Sequence, residues 1–166
     1  MEPRDPIATV EGMRKHLMNG HNADLAPEYM HPEIKVARTG MTGAVRYLEK
    51  IGISTASGET FESISDPITK FQVGFREVIA AFPDMHHELV APAMQDGDMT
   101  ILRIRFLATH QGPFRGLPAT NRKIDFNEVV FQRVTDGLVS EVWAFGDELE
   151  LLQQLGVLGA TSPSEA

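Results

Sequence analysis

KIDFNEVVFQRVTDGLVSEVWAFGDELELLQQLG, residues 123–156, reads as two β-strands, a tight turn and a short helix. β-Branched and aromatic residues crowd both sides of Asp136-Gly137. A two-residue Asp-Gly loop between such runs is a strong hairpin signal, because both residues tolerate the positive φ of a type I′ turn. The second strand carries the only tryptophan, Trp143, and delivers Asp147 to its end. A helix from about Glu148 to Leu155 then stops at Gly156. On an extended strand Trp143, Phe145 and Asp147 share one face. An aspartate beside an indole and a phenyl ring has its charged form desolvated, which raises its pKa and suits it to proton transfer near neutral pH. A second reading of Asp147 is equally physical. It precedes the last helix with Glu150 three positions later, the pattern of a capping box. One residue can do both.

The first strand of the hairpin alternates Glu128, Val130 and Gln132 with Asn127, Val129, Phe131 and Arg133. One set faces the core and any pocket, and a one-residue slip of register would exchange them. Gln132 or Asn127 is a candidate to hydrogen-bond a substrate oxygen, the alternative being an exposed polar side chain. Upstream, residues 99–110 predict a long strand with Leu102, Ile104, Phe106 and Ala108 on one face. Its other face mixes Ile101, Arg103, Arg105 and Leu107 and is partly wet. Between these strands His110 either lines a pocket mouth or faces water.

The first half of the chain changes period. After Asp66-Pro67, residues Ile68, Phe71, Phe75, Val78, Ile79 and Phe82 fall at helical spacing, and Pro83 ends the run. Asp5-Pro6 starts an earlier helix carrying Ile7, Val10 and Leu17 and ending at Gly20. Asn22 or Asp24 caps a second, short helix that His31-Pro32 stops. His31 is a candidate for the open end of a pocket, or a helix-terminal histidine interacting with carbonyls. Ile34 and Val36 suit a short half-buried strand, residues 44–51 a further helix, and residues 53–65 a loop that is either a lid or mobile. His86–Ala91 predicts a strand, and Gln95–Asp98 a turn. Helices first and an antiparallel meander after them make an α+β fold, with the sheet curling round the long helix. We expect one domain over residues 1–160 and a disordered tail at 161–166.

Composition removes several functions. Net charge is −8 with scattered Lys and Arg, so neither nucleic acid nor an anionic membrane surface is an expected partner. There is no cysteine, hence no disulfide, thiolate metal site or cysteine nucleophile. The N-terminus lacks a signal-peptide pattern and no apolar run reaches membrane-span length, so a cytoplasmic protein is expected. Phosphate-binding glycine loops, dinucleotide fingerprints and nucleophile elbows are absent. His86 and His87 are adjacent and on a strand point to opposite faces, so they cannot chelate one ion together. They read as structural or surface histidines, and no metal site is expected. Acid–base chemistry by carboxylates, histidine and polar side chains in an apolar pocket remains.

The segment AAFPDMHHEL followed by THQGPFRGLPATNRKIDFNEVVFQRVTDGLVSEVWAFGDELELLQQLG resembles the SnoaL-like polyketide cyclases. These belong to the nuclear-transport-factor-2-like superfamily, with ketosteroid isomerases and limonene epoxide hydrolases as cousins. The resemblance rests on Phe-Pro-Asp after the long helix, the His-x-Gly-x-Phe-x-Gly loop, the Asp-Gly hairpin, and Trp143 four residues before Asp147. It covers about residues 79–156 well, and the N-terminal helices loosely. It implies a cone-shaped, curved antiparallel sheet around helices (a cystatin-like roll), open at one end, and commonly a homodimer. It also implies a cyclase without cofactor, in which an aspartate is the acid–base catalyst for intramolecular aldol closure of a polyketide-like chain. Asp147 matches that acidic position, with Gln132 and His31 as candidate catalytic partners. Trp143, Phe145, Phe75, His110, Asn127 and Glu128 are the candidate substrate-binding residues. Two other functions stay open: epoxide opening by paired carboxylates among Asp125, Glu128 and Asp147, and a non-catalytic ligand-binding or dimerisation module. The connection over residues 39–65 is longer than the family's usual one.

Overall fold

A computed structural model describes residues 5–38, 47, 48, 50, 52 and 63–158. Helix α1 (Pro6–Gly12) runs on through a wider π-helical stretch (Met13–Met18), and a 3-10 turn (Ala23–Leu25) leads into the single-turn helix α2 (Ala26–Tyr29). Strand β1 (Met30–Arg38) and the long helix α3 (Pro67–Ala81) follow. Then come β2 (His86–Leu89), β3 (Met94–Asp96), β4 (Met99–Thr109), β5 (Lys123–Thr135), β6 (Leu138–Gly146) and helix α4 (Glu148–Leu155).

Local chemistry explains the boundaries. Asp5 Oδ2 accepts from Ala8 N–H at 3.1 Å and Asp66 Oδ2 from Thr69 N–H at 2.8 Å, each with proline at the next position. Both prolines lack an N–H that the first turn would leave unsatisfied in any case. The β5–β6 turn has φ of 51° at Asp136 and 77° at Gly137, the two positive values that its type requires. α4 ends at Gly156 with φ 79°, in a left-handed cap. The predicted helix at 44–51 and loop at 53–65 fall largely outside the described residues, although Leu48 is fully buried.

The sheet is curved and open, in the order β1-β6-β5-β4-β2, with β3 also on β4. Strands β2 to β6 pair antiparallel, but β1 lies parallel to β6. The antiparallel meander expected of the second half is thus present in β2 to β6, and the pairing of the earlier strand is the addition. The parallel pair arises because β1 precedes the rest of the sheet and rejoins it at the last strand, a long-range pairing with no local signature. The short helix α2 ends at Tyr29 and the strand begins at Met30, so His31 sits within β1 rather than at a helix terminus.

Pairing of Val130 with Ala144 and Leu102 settles the register of the hairpin. Ile124, Phe126, Glu128, Val130, Gln132 and Val134 are buried on the concave face of β5, while Asn127 is exposed on the other side. Leu102, Ile104, Phe106 and Ala108 of β4 are buried on the same concave side, as predicted, and Thr100 joins them. α3 lays Phe71, Phe75 and Val78 against this core. Trp143 and Phe145 go the other way, because Ala144 and Gly146 are the residues of β6 that register against inward-facing Val130 and Glu128. On that outer face Phe145 is 51% exposed and meets Phe131 edge-on at 6.2 Å between ring centres. Arg105 and Asp125 also pair there, Nε to Oδ1 at 2.7 Å, and this hydrogen bond lowers the pKa of Asp125.

Candidate active site

Between α3, β1, β2 and the end of the π-helical stretch lies a cavity of about 500 Å³. Phe71, Phe75 and Val78 of α3 form one wall, facing Phe106 of β4, with Ile34 and Val36 of β1 beside them. Each position follows from periodicity. Phe71, Phe75 and Val78 recur at four and three residues along one helix face, and Ile34 and Val36 share one face of a strand. The volume lies within the range of small-molecule sites, and the lining is mainly apolar.

Its polar groups are few. His87, Lys70, Arg115 and Ser65 are those among the described lining residues. His87 is 4% exposed, and its ring lies 5.4 Å from that of Phe106, centre to centre. It belongs to β2, an edge strand whose free side would leave backbone groups unpaired. The π-helical stretch supplies them. Asn19 Oδ1 accepts from His87 N–H at 2.7 Å, while Asn19 Nδ2 and Arg14 Nη1 donate to the His87 carbonyl at 3.1 and 2.9 Å. Asn19 N–H bonds to Arg14 O, five residues back, so the wider turn brings both side chains to one carbonyl. His21 Nε2 lies 2.7 Å from the Met85 carbonyl and extends this fixation. The His87 ring is therefore held on a pinned backbone.

The candidates named from sequence are dispersed. Phe75 lines the cavity; Asp147, Gln132, His31, Trp143, Phe145, His110, Asn127 and Glu128 do not. Asp147 is exposed and caps α4, accepting from Glu150 N–H at 3.1 Å. Trp143 and Phe145 turn to the outer face and do not desolvate it, so the apolar setting expected for this carboxylate is not formed. Gln132 is buried in the interior, its Nε2 at 3.8 Å from Met13 Sδ. Glu128 is 4% exposed, and its Oε1 stands 3.3 Å from where a side chain on Gly146 would begin. The glycine makes room for the carboxylate. His31 Nδ1 accepts from Glu33 N–H at 3.1 Å.

His110 neither lines the cavity nor meets water. It is fully buried, with its ring 5.2 Å from Phe82 and its Nδ1 accepting from Thr120 N–H at 3.2 Å. Burial lowers its pKa, against a smaller opposing contribution from the Gly112 backbone. The three acids considered for epoxide chemistry diverge. Asp125 points outward, Glu128 inward, and Asp147 caps a helix beyond the strand end.

The family model for SnoaL-like polyketide cyclase matches residues 65–155. The chain belongs to that family. Solved structures share the fold. IdmH from Streptomyces antibioticus, assigned as a polyketide cyclase, is 23% identical with a TM-score of 0.68, covering 92% of this chain and 99% of that one. AclR from Streptomyces galilaeus, assigned as a hydroxylase, is 24% identical with a TM-score of 0.69, covering 92% and 96%. TsrD from Streptomyces laurentii is 21% identical with a TM-score of 0.68, covering 91% and 97%. A comparison with curated proteins finds no match. Among the described residues no helix is long and apolar enough to cross a membrane.

Sequence reasoning missed the polar residues of this SnoaL-like cavity. His87 was legible in principle: Met85, His87 and Leu89 share a strand phase, and two of the three are apolar. Lys70 and Arg115 carried no such signal, since a lysine on a helix and an arginine in a loop usually face water.

Proposed function

We propose that this protein is a cofactor-independent cyclase that closes a ring in a polyketide-like intermediate by acid–base catalysis, with His87 as the proton-transfer group. One observation carries the reading. A buried histidine imidazole, 4% exposed and carried on a backbone held by Asn19 and Arg14, lines an apolar cavity large enough for a folded small molecule. In an intramolecular aldol closure, His87 removes a proton from a carbon between two carbonyl groups. The resulting enolate carbon attacks a distant carbonyl carbon of the same chain, and the new alkoxide takes the proton back from the imidazolium. Substrate and product are isomers. The aromatic rings at 71, 75 and 106 hold the flexible chain in a near-attack conformer, which removes much of the entropic part of the barrier.

The bond change is tested by running the reaction on a linear poly-β-ketone in ¹⁸O-labelled water. A product isomeric with the substrate, formed without gain of water, is expected. On a chain of the same length bearing an epoxide, a product heavier by one labelled water would indicate hydrolysis to a diol, and binding of either chain without turnover would indicate a ligand-binding module.

The outer sheet face supports a second copy as partner. Phe131, Trp143 and Phe145 form an apolar patch rimmed by Arg105 with Asp125 and by Arg133 with Glu141. Such a face, bearing both charges at its edge, is suited to pairing with itself about a two-fold axis. Light scattering should give twice the chain mass of 18.3 kDa, and Phe145→Arg should return it to the monomer value.

A further inference from the structure

A glycine stands at the midpoint of helix α3, Gly74 being the eighth of its 15 residues. Glycine there weakens a helix relative to alanine, because it loses more backbone freedom on folding. Its backbone is regular helix without a positive φ, so its conformation does not demand glycine. The side chains that fasten the helix to the 3-10 turn are Gln72, donating to the Ala23 carbonyl at 3.1 Å, and Arg76, paired with Asp24. At 3.6 residues per turn both leave the helix about 160° away from Gly74. What Gly74 does face is the cavity. We infer that Gly74 is the specificity-determining residue of the cavity, its missing side chain opening the space in which the ligand's bulk lies against α3. This deepens the proposed cyclase, on which it rests in calling that ligand a substrate.

The helix face shows how the space is made. Pro67, Lys70, Phe71, Gly74, Phe75 and Val78 of α3 line the cavity. By helical periodicity Pro67, Gly74 and Val78 form the central row of that face, with Lys70 on one flank and Phe71 and Phe75 on the other. The two phenyl rings stack on each other, centres 5.5 Å apart and planes 19° from parallel, which holds them along their own flank. Gly74 is therefore a notch in the middle of the wall. A helical Cβ tilts toward the N-terminus, so a side chain at 74 would cover the turn that holds Lys70 and Phe71.

The absence that weakens the helix favours the ligand. An apolar ring that reaches the bare backbone removes more apolar surface from water and gains dispersion contacts. A ligand too small to reach the notch gains neither. Filling position 74 should thus penalise ligands in proportion to their size, because a close-packed wall does not yield to overlap without strain.

The test measures binding of two neutral ketones to the full chain by ligand-observed NMR titration. Acetophenone has one ring and 2-acetylnaphthalene has two, with the same polar group. In the wild type the two-ring ketone should bind about tenfold more tightly. Gly74→Ala should narrow that gap, and Gly74→Leu should close or reverse it by weakening the naphthyl ketone, with acetophenone staying within about threefold of its wild-type affinity. Gly74→Ala should also raise the urea midpoint, since a glycine that serves only the ligand leaves room for a methyl group. A lower midpoint for that variant would mean that the glycine serves packing, and would overturn the inference. An unchanged gap in Gly74→Leu, an equal loss of both ketones, or no binding of the naphthyl ketone to the wild type would overturn it too. Ring closure has its own readout in labelled water. A cavity that sorts ketones by size can fail to close rings, and a cyclase can be indifferent to position 74.

Discussion

Replacing His87 by glutamine should lower kcat by about 10²–10⁴-fold, the usual contribution of a positioned acid–base group, with KM changed only a few-fold. Glutamine keeps a planar polar side chain but cannot exchange a proton near neutral pH. The backbone at 87 should be unaffected, since its hydrogen bonds run to Asn19 and Arg14 and not through the ring. Asn19→Ala is the instructive companion. It removes both a donor to the His87 carbonyl and the acceptor for its N–H, so it should reduce kcat through the position of the ring while leaving its chemistry intact. Restoring the amide with Asn19→Gln, whose reach differs by one methylene, should recover only part of the rate. Asp147→Ala is the opposing control. A residue that only caps α4 predicts a loss of about 0.5–2 kcal/mol of stability in urea titrations and turnover near the wild-type value. Full activity in His87→Gln combined with collapse in Asp147→Ala would return the acid–base role to the end of β6.

What could be read in advance divides along physical lines. Helix α3 and the β5–β6 hairpin were legible because their signals are local. Asp66-Pro67 satisfies or removes donors within one turn, and Asp136-Gly137 supplies the two positive φ values on its own. Strand β4 announced its buried face through Leu102, Ile104, Phe106 and Ala108. The cavity was not legible because it depends on contacts far apart in sequence. β1 reaches β6 across more than a hundred residues, and Arg14 and Asn19 meet His87 about seventy residues away. The orientation of Trp143 turned on register alone. Ala144 and Gly146 take the inward positions, leaving the inner face of β6 small beside Glu128. A tryptophan before an aspartate suggested a pocket, and its ring instead enriches the outer face. Family resemblance gave the curved sheet around the long helix, though not the parallel β1–β6 pair, and could not choose among side chains.

Phe82 should prove the most costly single side chain to delete. It ends α3, its N–H bonding to the Val78 carbonyl at 2.8 Å, and it is 1% exposed. Its ring meets Phe106 edge-on at 6.0 Å, Phe114 at 5.3 Å and His110 at 5.2 Å. Phe82→Ala should therefore cost about 3–5 kcal/mol in urea unfolding, the range for truncating a buried aromatic residue. The pH dependence of that cost follows from His110. Burial depresses its folded pKa below the unfolded value, so the neutral ring contributes stability that is fully present above about pH 6.5. That contribution is lost as pH falls from there toward the folded pKa, because the unfolded chain then binds the proton more readily. Removing Phe82 opens the ring to water and moves its folded pKa back toward the ordinary value, which flattens this slope. The loss caused by the substitution should thus be larger at pH 8 than at pH 5. Asp84 does not confuse the comparison. Burial pushes its pKa up, but hydrogen bonds from Thr109 Oγ1 and N–H outweigh that and leave it lowered, so its effect is confined to more acidic solution. An equal loss at the two pH values would mean that the Phe82 ring does not keep His110 dry, and a loss below about 1 kcal/mol would mean that the core closes over the gap.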